Sequence, residues 1–243
     1  MKDQLPTVFI LSGGLGSRLA ALAKDIPKAM VAVAGEPFVA HQLRLLRRRG
    51  ARRIVICTGH LGEYIERFVA GGAGFGLAVE YCHDGNRLLG TGGSIKNALT
   101  KFPSLETFAL TYGDSYLDVD FSRAYEVFAT SDKAGLMTVL HNQNRWGDSN
   151  VKFADGQVLG YEKGVKDKDF QYIDYGFSFL RREAFADLNM ETFDLSIVWQ
   201  SLIAREQLLG YPVPKRFFEI GTPEGLRETE AEICRRLKKK HPP

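Results

Sequence analysis

The sequence predicts an α/β protein with a mainly parallel, mixed sheet flanked by helices and a β-rich second half. Three observations carry this. Apolar runs alternate with amphipathic stretches of about ten residues through the first half. A glycine turn directly follows the first run. From Gly135 the apolar runs crowd together, separated by turn signals. At 243 residues the chain suits one domain able to bury roughly 70 to 75% of its unfolded surface. Residues 1–243 are therefore expected to form a single domain, with halves at about 1–134 and 135–222 and a closing helix with a basic tail at 223–243.

In chain order, Thr7 to Leu11 reads as a buried strand. Phe38 to Arg49 reads as a helix whose Val39, Leu43 and Leu46 share one face while Arg44, Arg47 and Arg48 turn outward. Arg53 to Cys57 is a second strand, Leu61 to Val69 a helix, and Leu77 to Tyr81 a third strand. A glycine loop at 90–93 precedes a helix to about Leu99, and Thr107 to Tyr112 is a fourth strand. Such alternation implies βαβ crossovers of Rossmann-like type, in which ligands bind beyond the strand C-termini. The second half supplies strands at Leu136 to Leu140, Val151 to Phe153, Val158 to Glu162 and Tyr172 to Leu180, with Ala154-Asp155-Gly156-Gln157 as a hairpin turn. Leu195 to Glu206 reads as a helix, Tyr211 to Pro214 as a strand, and Pro223 to Arg236 as a helix with proline in its first turn. The apolar pattern of Leu195 to Leu209 suits either a homodimer contact or a core-facing helix.

Composition narrows the function classes. The net charge is +3, but five of the 32 basic residues crowd into Arg235 to Lys240, leaving 27 against 29 acidic residues elsewhere. A nucleic-acid partner is therefore not expected. Cys57, Cys82 and Cys234 are odd in number and widely spaced, and the five histidines form no metal-spaced cluster. No apolar leader precedes the first strand and no run reaches membrane-spanning length, so a reduced, cytoplasmic chain without membrane insertion is expected.

The chemistry is concentrated in Ser12-Gly13-Gly14-Leu15-Gly16-Ser17-Arg18-Leu19, followed by Pro27-Lys28. Glycines let the backbone approach a ligand so that N–H groups line a phosphate, and Arg18 and Lys28 add positive charge. The loop lacks the Lys-Ser/Thr ending of a P-loop, and Leu19 stands where a dinucleotide fingerprint needs its third glycine. A nucleoside triphosphate is the ligand this pattern fits.

The chain resembles the sugar-1-phosphate nucleotidyltransferases. The likeness rests on that loop and on Gly35-Glu36-Pro37-Phe38, Leu89-Gly90-Thr91-Gly92-Gly93-Ser94, Tyr112-Gly113-Asp114, Tyr161-Glu162-Lys163 and Phe218-Glu219-Ile220-Gly221-Thr222-Pro223, in the family's order. It implies in-line attack by a sugar-1-phosphate oxygen on the α-phosphorus of a nucleoside triphosphate. Arg18, Lys28 and Asp114 would be catalytic; Ser12, Gly13, Gly14, Gly16, Ser17, Asp84, Gly90, Thr91 and Gly92 would line the nucleotide; Gly113, Glu162, Lys163 and Gly176 would meet the sugar phosphate. Asp114 and Glu219 would hold Mg²⁺, Glu219 standing where the family has an aspartate. Gly164 replaces the family's proline, and Asp174 stands where relatives place Asn or Thr. The sequence ends soon after the closing helix, so the β-helical acyltransferase domain that some members carry is not expected.

Within the family the short form is most similar to heptose 1-phosphate guanylyltransferases, which implies GTP with a heptose or mannose phosphate. UTP or dTTP with a hexose, hexosamine or muramic-acid phosphate is the alternative. Two further readings belong to other classes. Asp118-Val119-Asp120 matches the Asp-x-Asp of glycosyltransferases but also suits a turn and helix cap. The departures at Glu219 and Gly164 fit a nucleotide-binding regulatory module.

Overall fold

The computed structural model describes residues 4–14, 26–85, 87–164 and 166–240. β1 (Val8–Ser12) opens the chain; β2 (Ala32–Val33) and β3 (Glu36–Pro37) form a small ribbon before α1 (Phe38–Arg48). β4 (Arg53–Thr58), α2 (Gly62–Val69), β5 (Ala78–His83), α3 (Gly90–Lys101) and β6 (Thr107–Tyr112) follow. Next come β7 (Ser115–Tyr116), α4 (Ser122–Thr130), β8 (Gly135–His141), the hairpin of β9 (Val151–Ala154) and β10 (Gln157–Tyr161), and β11 (Tyr172–Arg181). α5 (Ser196–Ala204), β12 (Leu208–Pro212), β13 (Phe218–Glu219) and α6 (Pro223–Lys240) complete it.

Among the described residues nine strands make one mixed sheet in the order β5-β4-β1-β6-β11-β8-β12-β10-β9. β5, β4, β1 and β6 run parallel, as the alternation in the first half predicts. Beyond β6 the neighbours are antiparallel except β8 with β12. β12 begins three residues before the predicted Tyr211.

Both sheet faces are covered, which is why the parallel strands read as continuous apolar runs rather than alternating ones. Val8 and Ile10 of β1 pack with Val39 and Leu43 of α1 and Ile65 of α2. Phe9, on the opposite face, belongs to a second cluster that includes Ile95 and Ala98 of α3 and Trp199 of α5. Val198, Trp199 and Leu202 are buried, so the apolar face of α5 serves the core. α6 closes a third cluster through Ile233 against Val33, Phe38 and Ile220. Among the described residues no helix is long and apolar enough to cross a membrane.

Candidate active site

The parallel strands end on one edge, and a cleft opens there between the ends of β1 and β6 and the start of α3. Ser12, Gly13 and Gly14 line it from β1; Gly113 and Asp114 line it from the turn after β6; Gly90 and Thr91 line it from α3. Gly16, Ser17 and Arg18 lie outside the described residues. Gly113 is required by crowding: a Cβ there would fall 2.0 Å from Ser12 Oγ, and its N–H donates to Leu11 O at 2.8 Å.

Lys28 starts a short 3-10 turn, Lys28–Met30, and reaches into the cleft, where Nζ donates to Asp114 Oδ2 at 2.9 Å. The two side chains are only 21% and 27% exposed. β7 pairs with β13 in the register Glu219↔Ser115, which brings Glu219 beside Asp114 from 105 positions along the chain. A Cβ added at Gly221 would lie 3.5 Å from Glu219 Oε1 and 3.9 Å from Asp114 Oδ2, so both carboxylates border the same spot beside that glycine. Two hard oxygen donors beside the cleft could hold Mg²⁺, which takes one or two carboxylates and leaves other positions to phosphate and water.

Asp84 follows β5 and accepts from Ser94 Oγ at 2.6 Å. Burial pushes its carboxyl above the usual range against the opposing pull of that hydroxyl. Leu88, 45% exposed although large and apolar, lines the same part of the cleft. It escaped the sequence reading; an apolar side chain within a polar loop is the signal that could have marked it.

The segment 90–93 is not a loop but the first turn of α3. Gly92 does not line the cleft: a Cβ there would meet the Phe193 ring at 2.3 Å, and the N–H groups of Gly92 and Gly93 donate to Phe193 O at 3.0 and 3.2 Å. This glycine lets the chain around Phe193 dock on the helix start. The docked chain carries Asp194, which accepts from Thr91 Oγ1 at 3.2 Å and from Lys163 Nζ at 3.0 and 3.2 Å. Burial raises the Asp194 pKa, but bonds from Ser196 and Lys163 outweigh it and hold the carboxyl at about 2. Asp194 was not singled out in the sequence, because its partners lie 31 and 103 positions away.

Glu162 and Lys163 follow β10 and are exposed; neither lines the cleft, and Lys163 connects to it through Asp194 and Thr91. Gly176 sits behind Tyr112 at φ +92°, in a bulge where the β11–β8 register shifts. Its N–H donates to Asp174 Oδ1 at 2.9 Å. Burial raises the Asp174 carboxyl to about 6, although that N–H and the nearby Lys163 favour the charged form.

Asp118 and Asp120 are engaged structurally. Asp118 pairs with Arg49 and Arg236, and Asp120 Oδ1 accepts from Ser122 N at 3.0 Å at the start of α4. The turn reading of Asp-x-Asp therefore holds for Asp120, while the position that caps α4 is Phe121, which makes no side-chain capping bond. Trp199 is a buried packing residue, whereas Trp146 holds the Arg216 guanidinium 5.4 Å from its ring centroid.

A family model described as nucleotidyl transferase matches residues 7–235. The D-glycero-alpha-D-manno-heptose 1-phosphate guanylyltransferase of Campylobacter jejuni subsp. jejuni serotype O:2 is 29% identical over 218 residues, covering 89% of this chain and 95% of that protein. The enzyme of the same name from Aneurinibacillus thermoaerophilus is 25% identical over 231 residues, covering 93% and 97%. The crystal structure of HddC from Yersinia pseudotuberculosis complexed with GMP-PN superposes with a TM-score of 0.77 at 26% identity, covering 94% of this chain and all of that one. With a glycine turn after β1, a Lys28–Asp114 pair at the sheet edge and a match over nearly its whole length, the chain belongs to the nucleotidyl transferase family.

Proposed function

We propose that the protein transfers the guanylyl group of GTP to a heptose 1-phosphate, releasing pyrophosphate. The observation that carries the reaction is the pairing of Lys28 with Asp114 beside Glu219 at the C-terminal edge of the parallel strands. An oxygen of the sugar phosphate attacks the α-phosphorus in line, a new P–O bond forms, and the bond to the β-phosphate bridging oxygen breaks. No covalent nucleophile on the protein is needed, so positioning and charge do the catalysis.

Lys28 holds a phosphate near the reacting centre, and Arg18 holds the leaving pyrophosphate with its forked donors. Lys163 and Glu162 receive the phosphate and hydroxyls of the sugar. Asp114 and Glu219 would hold Mg²⁺, which supplies charge neutralisation at the phosphates. Asp84 supports GTP among the bases: a carboxylate only accepts, and guanine presents N1–H and an amino N–H side by side. The free thiols Cys57, Cys82 and Cys234 fit a reducing cytoplasm, where the product would feed lipopolysaccharide or exopolysaccharide synthesis.

Pyrophosphate release tests the reading, with Mg²⁺ and each of GTP, UTP, dTTP, CTP and ATP against α- and β-anomers of heptose, mannose, glucose and aminosugar 1-phosphates. Release confined to GTP with a heptose phosphate is the expected result. Release with UTP or dTTP and a hexose phosphate would overturn the substrates but keep the reaction. Nucleotide binding without release across the panel would make the chain a binding module.

A further inference from the structure

α1 turns Val39, Leu43 and Leu46 into the core, yet Gln42 on the same helix is also buried, at 2% exposure. Its amide Nε2 donates to Tyr112 O at 2.8 Å and to Ser115 O at 2.9 Å. These two carbonyls bracket Gly113-Asp114, the turn that carries the cleft carboxylate. Both partners accept, so the amide orientation is settled: flipped, its oxygen would face two carbonyls. Oε1 is buried and meets no hydrogen-bond partner among the described residues. A buried primary amide with both donors spent on one turn has a specific task there.

We propose that Gln42 is a positioning residue for Asp114. The turn is held from two other sides, by Gly113 N to Leu11 O at 2.8 Å and by Ile220 N to Asp114 O at 3.0 Å. Those bonds tie it to β1 and to the segment after Glu219; Gln42 ties it to the helix layer beneath. With all three in place the Asp114 carboxylate stays against Lys28 and beside the spot that Glu219 also borders. Without the amide, two carbonyls lose their donors and seek others, and the turn and its carboxylate move with them. The inference rests on the proposed role of Asp114 in binding a divalent cation.

The test is Gln42→Met, which keeps length and removes both donors, compared with the parent chain. Mn²⁺ serves as the spectroscopic probe, titrated in the presence of GTP without sugar phosphate. The expected result is a loss of roughly tenfold to a hundredfold in Mn²⁺ affinity, the usual effect of removing a partner behind a metal ligand. The cation concentration for half-maximal turnover should rise in step, while GTP affinity measured without metal stays near the parent value. Unchanged Mn²⁺ affinity would overturn the proposal, as would an activity loss that only tracks the fraction of unfolded protein. Should Gln42→Met fail to fold, Gln42→Glu keeps the shape, and hydrogen exchange of the Gly113–Ser115 amides decides: faster exchange supports the clamp, unchanged exchange overturns it. A parent chain that neither binds Mn²⁺ nor releases pyrophosphate would sink the proposed function instead, and the exchange measurement would still judge Gln42 as a clamp on the turn.

Discussion

Two lysine–aspartate pairs flank the candidate site, and they differ in burial rather than in distance. Lys28 and Asp114 meet at 2.9 Å with side chains 21% and 27% exposed; Lys163 and Asp194 meet at 3.0 Å but are 61% and 45% exposed. The first pair belongs to the nucleotide side, where Asp114 sits on a turn clamped by Gln42, β1 and the chain after β13. The second joins the segment before α5 to the segment after β10, in reach of solvent. Charges partly withdrawn from water are screened less than exposed ones, so the inner pair keeps its geometry while the outer opens at little cost. The same two residue types thus make a fixed centre in one place and an exchangeable contact in the other. A lysine held loosely by a carboxylate can pass to an incoming phosphate.

Substitutions within the two pairs separate their roles. Asp114→Asn keeps the shape and removes the charge, and should lower kcat/KM on the order of a hundredfold to a thousandfold. Activity within a few-fold of the parent would show that the inner pair is not the centre. Lys28→Met should cost on the order of a hundredfold in pyrophosphate release with its sugar-phosphate KM little changed. A rise confined to that KM would move Lys28 to the outer class.

Asp174 extends the burial rule to a carboxyl with no direct cation partner among the described residues, whose folded pKa of about 6 lies above the ordinary unfolded value near 4. Because the folded state holds this proton more tightly, the charged form is a penalty that is absent below about pH 4 and fully present above pH 6. Asp174→Asn should therefore stabilise the chain at pH 7.5 by up to about 2 kcal/mol and change little at pH 4, as read by denaturant melts at both pH values. Equal effects at both would contradict the assigned burial. The smallest effect is expected from Lys163→Met: about a tenfold rise in KM for the sugar phosphate, with the KM for GTP unchanged. The parent should show the same trend when salt is raised, since an exposed pair and its phosphate competitor are both screened.

Much of the fold was legible because buried strands and amphipathic helices write their period into the chain. The parallel block, α1, the β9–β10 hairpin and the closing helix all follow from local patterns. The two-residue ribbons β2–β3 and β7–β13 were not legible, since pairings that short carry no period. The Gly90-Thr91-Gly92-Gly93 motif was visible but its geometry was not. Glycine after glycine reads as a loop, and only Phe193, about a hundred positions away, makes room for a helix start necessary. Gln42 carried no signal at all, because a glutamine in an amphipathic helix ordinarily faces water.

By itself the sequence determined the class of fold, the glycine turn after the first strand and the chemical types gathered around it. Those depend on side-chain period and local backbone freedom, which act over a few residues. Only the tertiary structure decided that Lys28 meets Asp114, that Glu219 and Asp114 border the same spot, and that Lys163 is held in the open by Asp194. Burial decides which charges are fixed and which can exchange, and burial is a property of the whole packed chain rather than of any stretch of it.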